Sequence, residues 1–413
     1  MNQNKFILVI LVVLLTQVNA FSKTTILLYI PSSVTSDLSR MFYKKVKAFE
    51  KLNPEIKVEF NSKDSYSGVL AEVLKNSLNK KSSGVIIAEL SELPTLVDSY
   101  TVIALDDFIN REQELLPNIL PTFLHNSYDK NKVLYGLPMF RSTPAIYYNL
   151  NILKQAGIDQ NNLPQDWKAL KEVLKKLKEV TKKPPFLLAP DWFDWIFESF
   201  VIQSGGSLSN ANNTDVQFDH PATIEALKYW KELKDEGLLK RNNRNWKSTI
   251  NMFNYQAYPI TYYSTAGMGF LKDNAKFTWT TDLMPKNRVY GTTVGASTVF
   301  ISNYMTKGQQ KASWKLLKYL LSDDVQIDMS LQSGYLAVTK SAYKNNKMVR
   351  RYSNPPFKKI KEQLKFAKSK IMIKNYSKIR EVLKQAINRS LDDGMDPEKS
   401  LKIAQNEARK LLN

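Results

Sequence analysis

Apolar positions along this chain change period repeatedly, and the changes mark out alternating strands and helices. Residues 25–30 form a β-rich run. Residues 37–52 carry helical spacing that Asn53-Pro54 ends. A second strand is expected over 56–60, a helix over 67–78 and a buried strand over 84–90 (GVIIAEL), an order that implies βαβ units on a mostly parallel sheet. Residues 134–144 read as a crossing into a second α/β block, which opens with a strand at 145–149 and a short helix at 152–156. That block continues with an amphipathic helix over 166–180 entered through Pro164, a strand at 185–188, and helices at 192–203 and 220–235. A strand at 258–263 runs directly into Ser264-Thr265-Ala266-Gly267, and another follows at 279–283. The segment 291–302 (GTTVGASTVFIS) reads as the return crossing. Helices are expected at 309–321 and 323–331, and a last helical stretch from 356 to the end, broken at Asp393-Gly394.

Composition sharpens this outline at three points. Residues 1–20 combine Lys5, the apolar run ILVILVVLL and Val18-Asn19-Ala20, the pattern of a secretory leader cleaved after Ala20. No Cys stands at that cut, so a soluble chain in the periplasm is expected rather than a lipid-anchored one. The chain has no Cys and only two His, His125 and His220, far apart in sequence, which leaves no thiolate or imidazole set for a metal. A formal net charge of +20 raises the question of nucleic acid, but the Lys residues lie on amphipathic helices and read as solvated faces. No nucleic-acid partner, metal or cofactor is expected.

Several segments carry chemistry suited to holding a small solute. Ser264-Thr265-Ala266-Gly267 feeds a helix N-terminus, where free N–H groups attract anions, although an ordinary turn uses the same residues. Gly295-Ala296-Ser297 suits either close approach of a ligand to the backbone or a β-bulge. Glu89 ends an apolar strand, where a carboxylate either accepts hydroxyl hydrogens from a polyol or serves a following helix. Tyr29, Tyr66, Trp167, Trp192, Trp195 and Tyr335 are aromatic candidates for a sugar or glycerol face. Catalysis has less to stand on. G-x-S-x-G, Walker and H-E-x-x-H motifs are all missing, and Asp191 with Asp194 is merely one carboxylate pair among many for a secreted glycosidase.

The segments AFEKLNP (48–54), FRSTP (140–144) with Tyr147-Tyr148-Asn149, KQAG (154–157) with Trp167, Gly295-Ala296-Ser297, SGYL (333–336) and TKSAY (339–343) resemble the extracellular solute-binding proteins of ABC importers, in particular their glycerol-3-phosphate-binding members. The resemblance implies the two-lobed α/β periplasmic binding protein fold of type II, a mixed sheet in each lobe and the ligand cleft between them. It implies an N-terminal lobe from 21–135 plus about 285–335, and a C-terminal lobe from about 136–284 plus 336–413. It further implies a non-enzymatic monomer that hands glycerol-3-phosphate or a glycerophosphodiester to a membrane permease, with a sugar or oligosaccharide as the alternative cargo. The family's ligand contacts match Tyr66, Glu89, Ser142, Ser264, Gly295 and Tyr335, with Trp167 and Trp192 at further aromatic positions. Met372 stands where the family has a phosphate-binding Arg. Arg141, Lys370 and Lys374 are the nearby cations that remain to take its place.

Overall fold

The structure, a computed structural model, describes residues 23–32 and 36–412; the leader expected at 1–20 lies outside them. Two five-stranded sheets built to one plan form the two lobes. The first takes β1 (Thr24–Pro31), β2 (Ile56–Lys63), β3 (Val85–Glu89) and β4 (Gly136–Ser142), with a return strand (Gly295–Ile301). The second takes β5 (Pro144–Asn149), β6 (Phe186–Leu188), β7 (Leu239–Arg241), β8 (Ile260–Ser264) and β9 (Trp279–Asp282). With β10 given to Thr292–Thr293, the return strand is β11, and the sheet orders are β2-β1-β3-β11-β4 and β7-β6-β8-β5-β9. In each sheet three parallel strands come first and an antiparallel strand sits fourth; that strand, β11 or β5, is the one just arrived from the other lobe.

Side-chain alternation explains how the first sheet is buried. Val85 and Ile87 of β3, with Ile26, Leu28 and Ile30 of β1, enter the large core, whereas Ile86, Ala88 and Tyr29 enter a smaller one on the opposite face. Helices cover both faces, so β3 is buried along its whole length, as parallel strands usually are. Gly84 makes this register possible: its φ is +67°, and a Cβ there would stand 2.2 Å from the Leu27 carbonyl oxygen. The second lobe packs around Trp230, Phe197, Phe200 and Tyr262. Its long helix Trp167–Thr181 starts at Asp166, which accepts from the Ala169 N–H at 2.7 Å.

The lobes are joined at three places, and two of them correct the expected boundaries. Residues 134–144 do not form a crossing: β4 pairs with β11 in the first sheet, and the chain crosses only at Thr143, between β4 and β5. The chain returns through β10. The segment after 336 does not join the second lobe at once, because Leu336 bridges to Arg141, Thr339 bridges to Ile119, and Leu336, Val338, Met348 and Tyr352 pack with the large core, which is drawn chiefly from the first lobe. The third crossing is β12 (Ala367–Lys368), which pairs in parallel with β10; from Ile371 onward the chain, Met372 apart, packs into the second core. The last stretch is therefore not a single broken helix. It is a helix at Lys358–Gln363, an irregular crossing, and two helices at Tyr376–Leu391 and Pro397–Leu412. Among the described residues no helix is long and apolar enough to cross a membrane.

Candidate ligand-binding site

Strand register brings most of the expected residues to one level of the cleft. In the first sheet Glu89 stands opposite Ser297, Ser297 opposite Phe140, and Gly295 opposite Ser142. One residue beyond the crossing, Pro144 stands opposite Ser264. Directly opposed residues in antiparallel strands lie about 4.5–5.5 Å apart, so Glu89, Ser142, Gly295 and Ser264 follow one another across the lobe junction. The crossing is pinned: Thr265 N donates to the Thr143 carbonyl at 3.0 Å, and Gln363 Nε2 donates to Thr143 Oγ1 and the Pro144 carbonyl at 3.1 and 2.8 Å. Tyr335 joins from the loop after the helix Asp323–Ser333, its ring 5.4 Å from that of Phe140.

The second lobe closes this row with rings and charges. Trp192 presents its indole to Tyr66 edge-on at 6.1 Å, and the Arg380 guanidinium lies 4.0 Å from the indole centroid. Two of its three nitrogens are fixed from behind, Arg380 Nε and Nη2 donating to Asp194 at 2.6 and 2.8 Å. Lys370 enters from the third crossing. Its ammonium donates to Glu89 Oε1 at 2.7 Å and lies 5.1 Å and 4.8 Å from the Trp192 and Tyr376 ring centroids. Glu89 Oε2 accepts from the Ser91 N–H at 2.7 Å, so this carboxylate also serves the short helix that follows it.

Burial sets the protonation of the surrounding acids. It pushes the Glu198 carboxyl up to about 8, against the pull of Lys370, and Glu92 up to about 7. Glu198 accepts from the Ile371 N–H at 2.7 Å, and Glu92 accepts from the Ser377 hydroxyl, tying the third crossing and the helix behind it to the cleft. The Tyr66 hydroxyl is raised by burial, and neither it nor the neighbouring Ser297 Oγ has a well-formed hydrogen bond. Three non-glycine residues here hold left-handed backbone: Trp192 (φ 59°), Ala296 (φ 85°) and Asn375 (φ 56°). Strain of this kind gathers at ligand sites.

Several expected residues behave otherwise than expected. Trp167 is not in the cleft. It is a core residue of the second lobe, stacked on Tyr229 at 4.5 Å, its indole N–H donating to Gln203 at 2.8 Å. Arg141 is fully buried beneath the cleft, donating to the carbonyls of Phe140, Phe123 and Ser297 and to Thr298 Oγ1, and burial lowers its guanidinium to about 9. Met372 packs across the cleft against the smaller core of the first lobe. Gly295 gives close approach to a side chain: a Cβ there would stand 2.5 Å from Cζ2 of Trp195. The bulge alternative holds as well, because the β11–β4 register shifts between Ser297 and Thr298. Ser264 Oγ accepts from the Ala266 N–H at 3.1 Å, leading into the helix Gly267–Asn274. Asp191 is exposed while Asp194 is held by Arg380, so the two make no carboxylate pair. His125 and His220 lie apart, on Ser369 Oγ and the Ala222 N–H respectively. Among the described residues no group of three or more His, Asp or Glu is placed to hold a metal.

Sequence reasoning named Lys370 only as one of three cations that could replace the Arg missing at Met372, and gave no role to Glu92, Glu198, Tyr376 or Arg380. A lysine in so lysine-rich a chain has no local mark of burial, and only the third crossing brings it to Glu89.

Comparison with known proteins agrees with this architecture. The model of the bacterial extracellular solute-binding protein family matches residues 34–327. The sn-glycerol-3-phosphate-binding periplasmic protein UgpB of Yersinia pseudotuberculosis is 26% identical over 235 residues, 54% of this chain and 53% of that protein. UgpB of Escherichia coli K12 is 25% identical over 244 residues, 56% of this chain and 54% of that protein. The chain thus spans about half the length of the curated relatives it matches. Among solved structures, an ABC transporter solute-binding protein from Thermotoga lettingae bound with alpha-D-tagatose has a TM-score of 0.82 at 20% identity, covering 95% of this chain and 100% of that one. UgpB from Mycobacterium tuberculosis in complex with glycerophosphocholine has a TM-score of 0.82 at 19% identity, covering 94% and 98%. Maltose-bound MalE3 of T. maritima has 0.82 at 17%, covering 94% and 100%. These structures share the two-lobed type II fold, and with the family match over most of the length, this chain belongs to the bacterial extracellular solute-binding proteins.

Proposed function

We propose that this protein captures glycerol-3-phosphate or a glycerophosphodiester outside the cytoplasmic membrane and delivers it to the permease of an ABC importer, without chemical change to the ligand. The observation that carries the proposal is the row Glu89, Ser142, Gly295, Ser264 at the lobe junction, with Tyr66 and Tyr335 beside it. Glu89 would accept from glycerol hydroxyls. Ser142, Ser264, Tyr335 and the Gly295 backbone would bond phosphate oxygens, and Tyr66 would meet the junction of the two groups. The relatives named for glycerol-3-phosphate and the neighbour holding glycerophosphocholine support this ligand class. A diester suits the cleft better than a monoester, because Met372 stands where the resemblance expects a phosphate-binding Arg and the Glu89 carboxylate opposes added negative charge. The leader pattern at 1–20 supports secretion to the periplasm.

A sugar is the second reading, favoured by the Trp192 indole at the cleft wall and by the tagatose- and maltose-bound neighbours. A thermal-shift titration of purified protein with glycerol-3-phosphate, glycerophosphocholine, glycerol, inorganic phosphate and maltose separates them. Ligand at 100 times its Kd adds about 2.7 kcal/mol of stability. A shift with either glycerophosphate compound supports the first reading; a shift with maltose alone replaces it with the second.

A further inference from the structure

We propose that Lys370 is the residue that fixes the ligand's negative charge, and that the cleft therefore selects a monoanionic phosphodiester over a dianionic monoester. This rests on the glycerophosphate reading above and adds the residue and the charge state. Lys370 is 3% exposed, as is its partner Glu89. An ammonium has three donors, and among the described residues only Glu89 accepts from this one; its other near neighbours are the faces of Trp192 and Tyr376. Burying a charge with unused donors is costly unless a further acceptor arrives.

The surroundings are short of a partner in the same way. Tyr66 Oη and Ser297 Oγ are buried and lack well-formed hydrogen bonds, and the Ser91 hydroxyl beside Glu89 is unpaired too. These groups share neighbours with Lys370. Ser297 stands opposite Glu89 in the sheet, and Trp192 touches both Tyr66 and Lys370. An anionic oxygen placed among them would take donors from Lys370, Tyr66 and Ser297, which hydroxyls can supply by rotating. The other cations are placed differently: Lys374 is exposed, Arg141 donates to three backbone carbonyls and Thr298 and leaves only its buried Nε without a partner, and Arg380 donates to both oxygens of Asp194. Because Glu89 already balances Lys370, every negative charge the ligand brings is set against the Glu89 carboxylate, and a dianion meets twice the repulsion that a monoanion does.

The test is calorimetric titration of wild type, K370M, K370Q and K370R with glycerophosphocholine, glycerophosphoglycerol and glycerol-3-phosphate at pH 7.5. Wild type should bind both diesters at least about tenfold more tightly than the monoester, and K370M should lose about 10- to 100-fold toward both, the worth of a charge-assisted hydrogen bond. K370Q repeats the measurement should K370M fail to fold, and K370R should recover part of the affinity. Unchanged affinity in the folded neutral variant overturns the Lys370 assignment alone. So does a loss confined to one diester, a monoester bound as well as the diesters, or a K370R that recovers nothing, since each removes the common anion from the explanation. Wild type that binds no glycerophosphate compound overturns the ligand reading and this inference with it.

Discussion

Trp192 of the second lobe meets Tyr66 of the first with ring centroids 6.1 Å apart and planes at 81°. Each ring marks the start of a helix: Tyr66 follows Ser65, whose Oγ caps the helix Tyr66–Leu78, and Trp192 precedes the helix Phe193–Gln203 in left-handed backbone. Two helix N-termini thus face each other across the cleft through aromatic rings.

The two tryptophans that sequence reasoning treated alike should separate by experiment. W192A is expected to weaken ligand binding about tenfold, the loss of one aromatic contact, while leaving most of the stability in place. W167A should cost about 3–5 kcal/mol of stability, because it empties a packed core position, and should leave Kd unchanged. Urea denaturation and calorimetric titration of both variants decide; a W167A protein of normal stability would contradict the core placement.

Gly295 offers a test of packing at the cleft floor. A Cβ there meets the Trp195 indole at 2.5 Å, and that indole is held by its hydrogen bond to the Val294 carbonyl at 3.1 Å. G295A should therefore destabilise the protein by about 1–3 kcal/mol and change Trp195 emission. A variant of wild-type stability would mean that the indole can move aside freely.

Burial of Glu198 links stability to pH. Its carboxyl is held up to about 8 in the folded protein, against 4.5 for an ordinary Glu, so the folded state binds the proton more tightly than the unfolded chain. The favourable contribution is present in full below about pH 4.5 and is lost as pH rises to about 8. E198Q removes this titration while keeping an acceptor for the Ile371 N–H. Relative to wild type, E198Q should gain stability between pH 5 and pH 8, of order 3 kcal/mol. Denaturation curves at the two pH values check this, and an equal difference at both would contradict it.

Much of the fold was legible because its elements carry their own signals. The alternating burial of β2, the unbroken apolar run of β3 and the stop at Asn53-Pro54 are local properties. So was the bulge alternative at Gly295-Ala296-Ser297, although the close approach at Gly295 is by the Trp195 side chain. The crossings were not legible in the same way. Residues 136–142 are buried along their whole length, and nothing local says which sheet they join; pairing with β11, more than 150 residues later, decides it. The segment around Lys370 and Met372 looks like one more basic helix, yet pairing of β12 with β10 and the Glu89 contact hold it extended. The residues hardest to foresee were those whose role depends on the other lobe.

Glu89 and Ser264 lie on opposite lobes of the proposed cleft, at the end of β3 and the end of β8. The most direct measurement is calorimetric titration of wild type and of the E89Q/S264A double variant with glycerophosphocholine, with folding of both checked by circular dichroism. A ligand held between these two residues predicts one site per chain in wild type and a loss of about 100-fold or more in the folded double variant. Equal affinity in the two proteins would place the ligand elsewhere and contradict the cleft assignment.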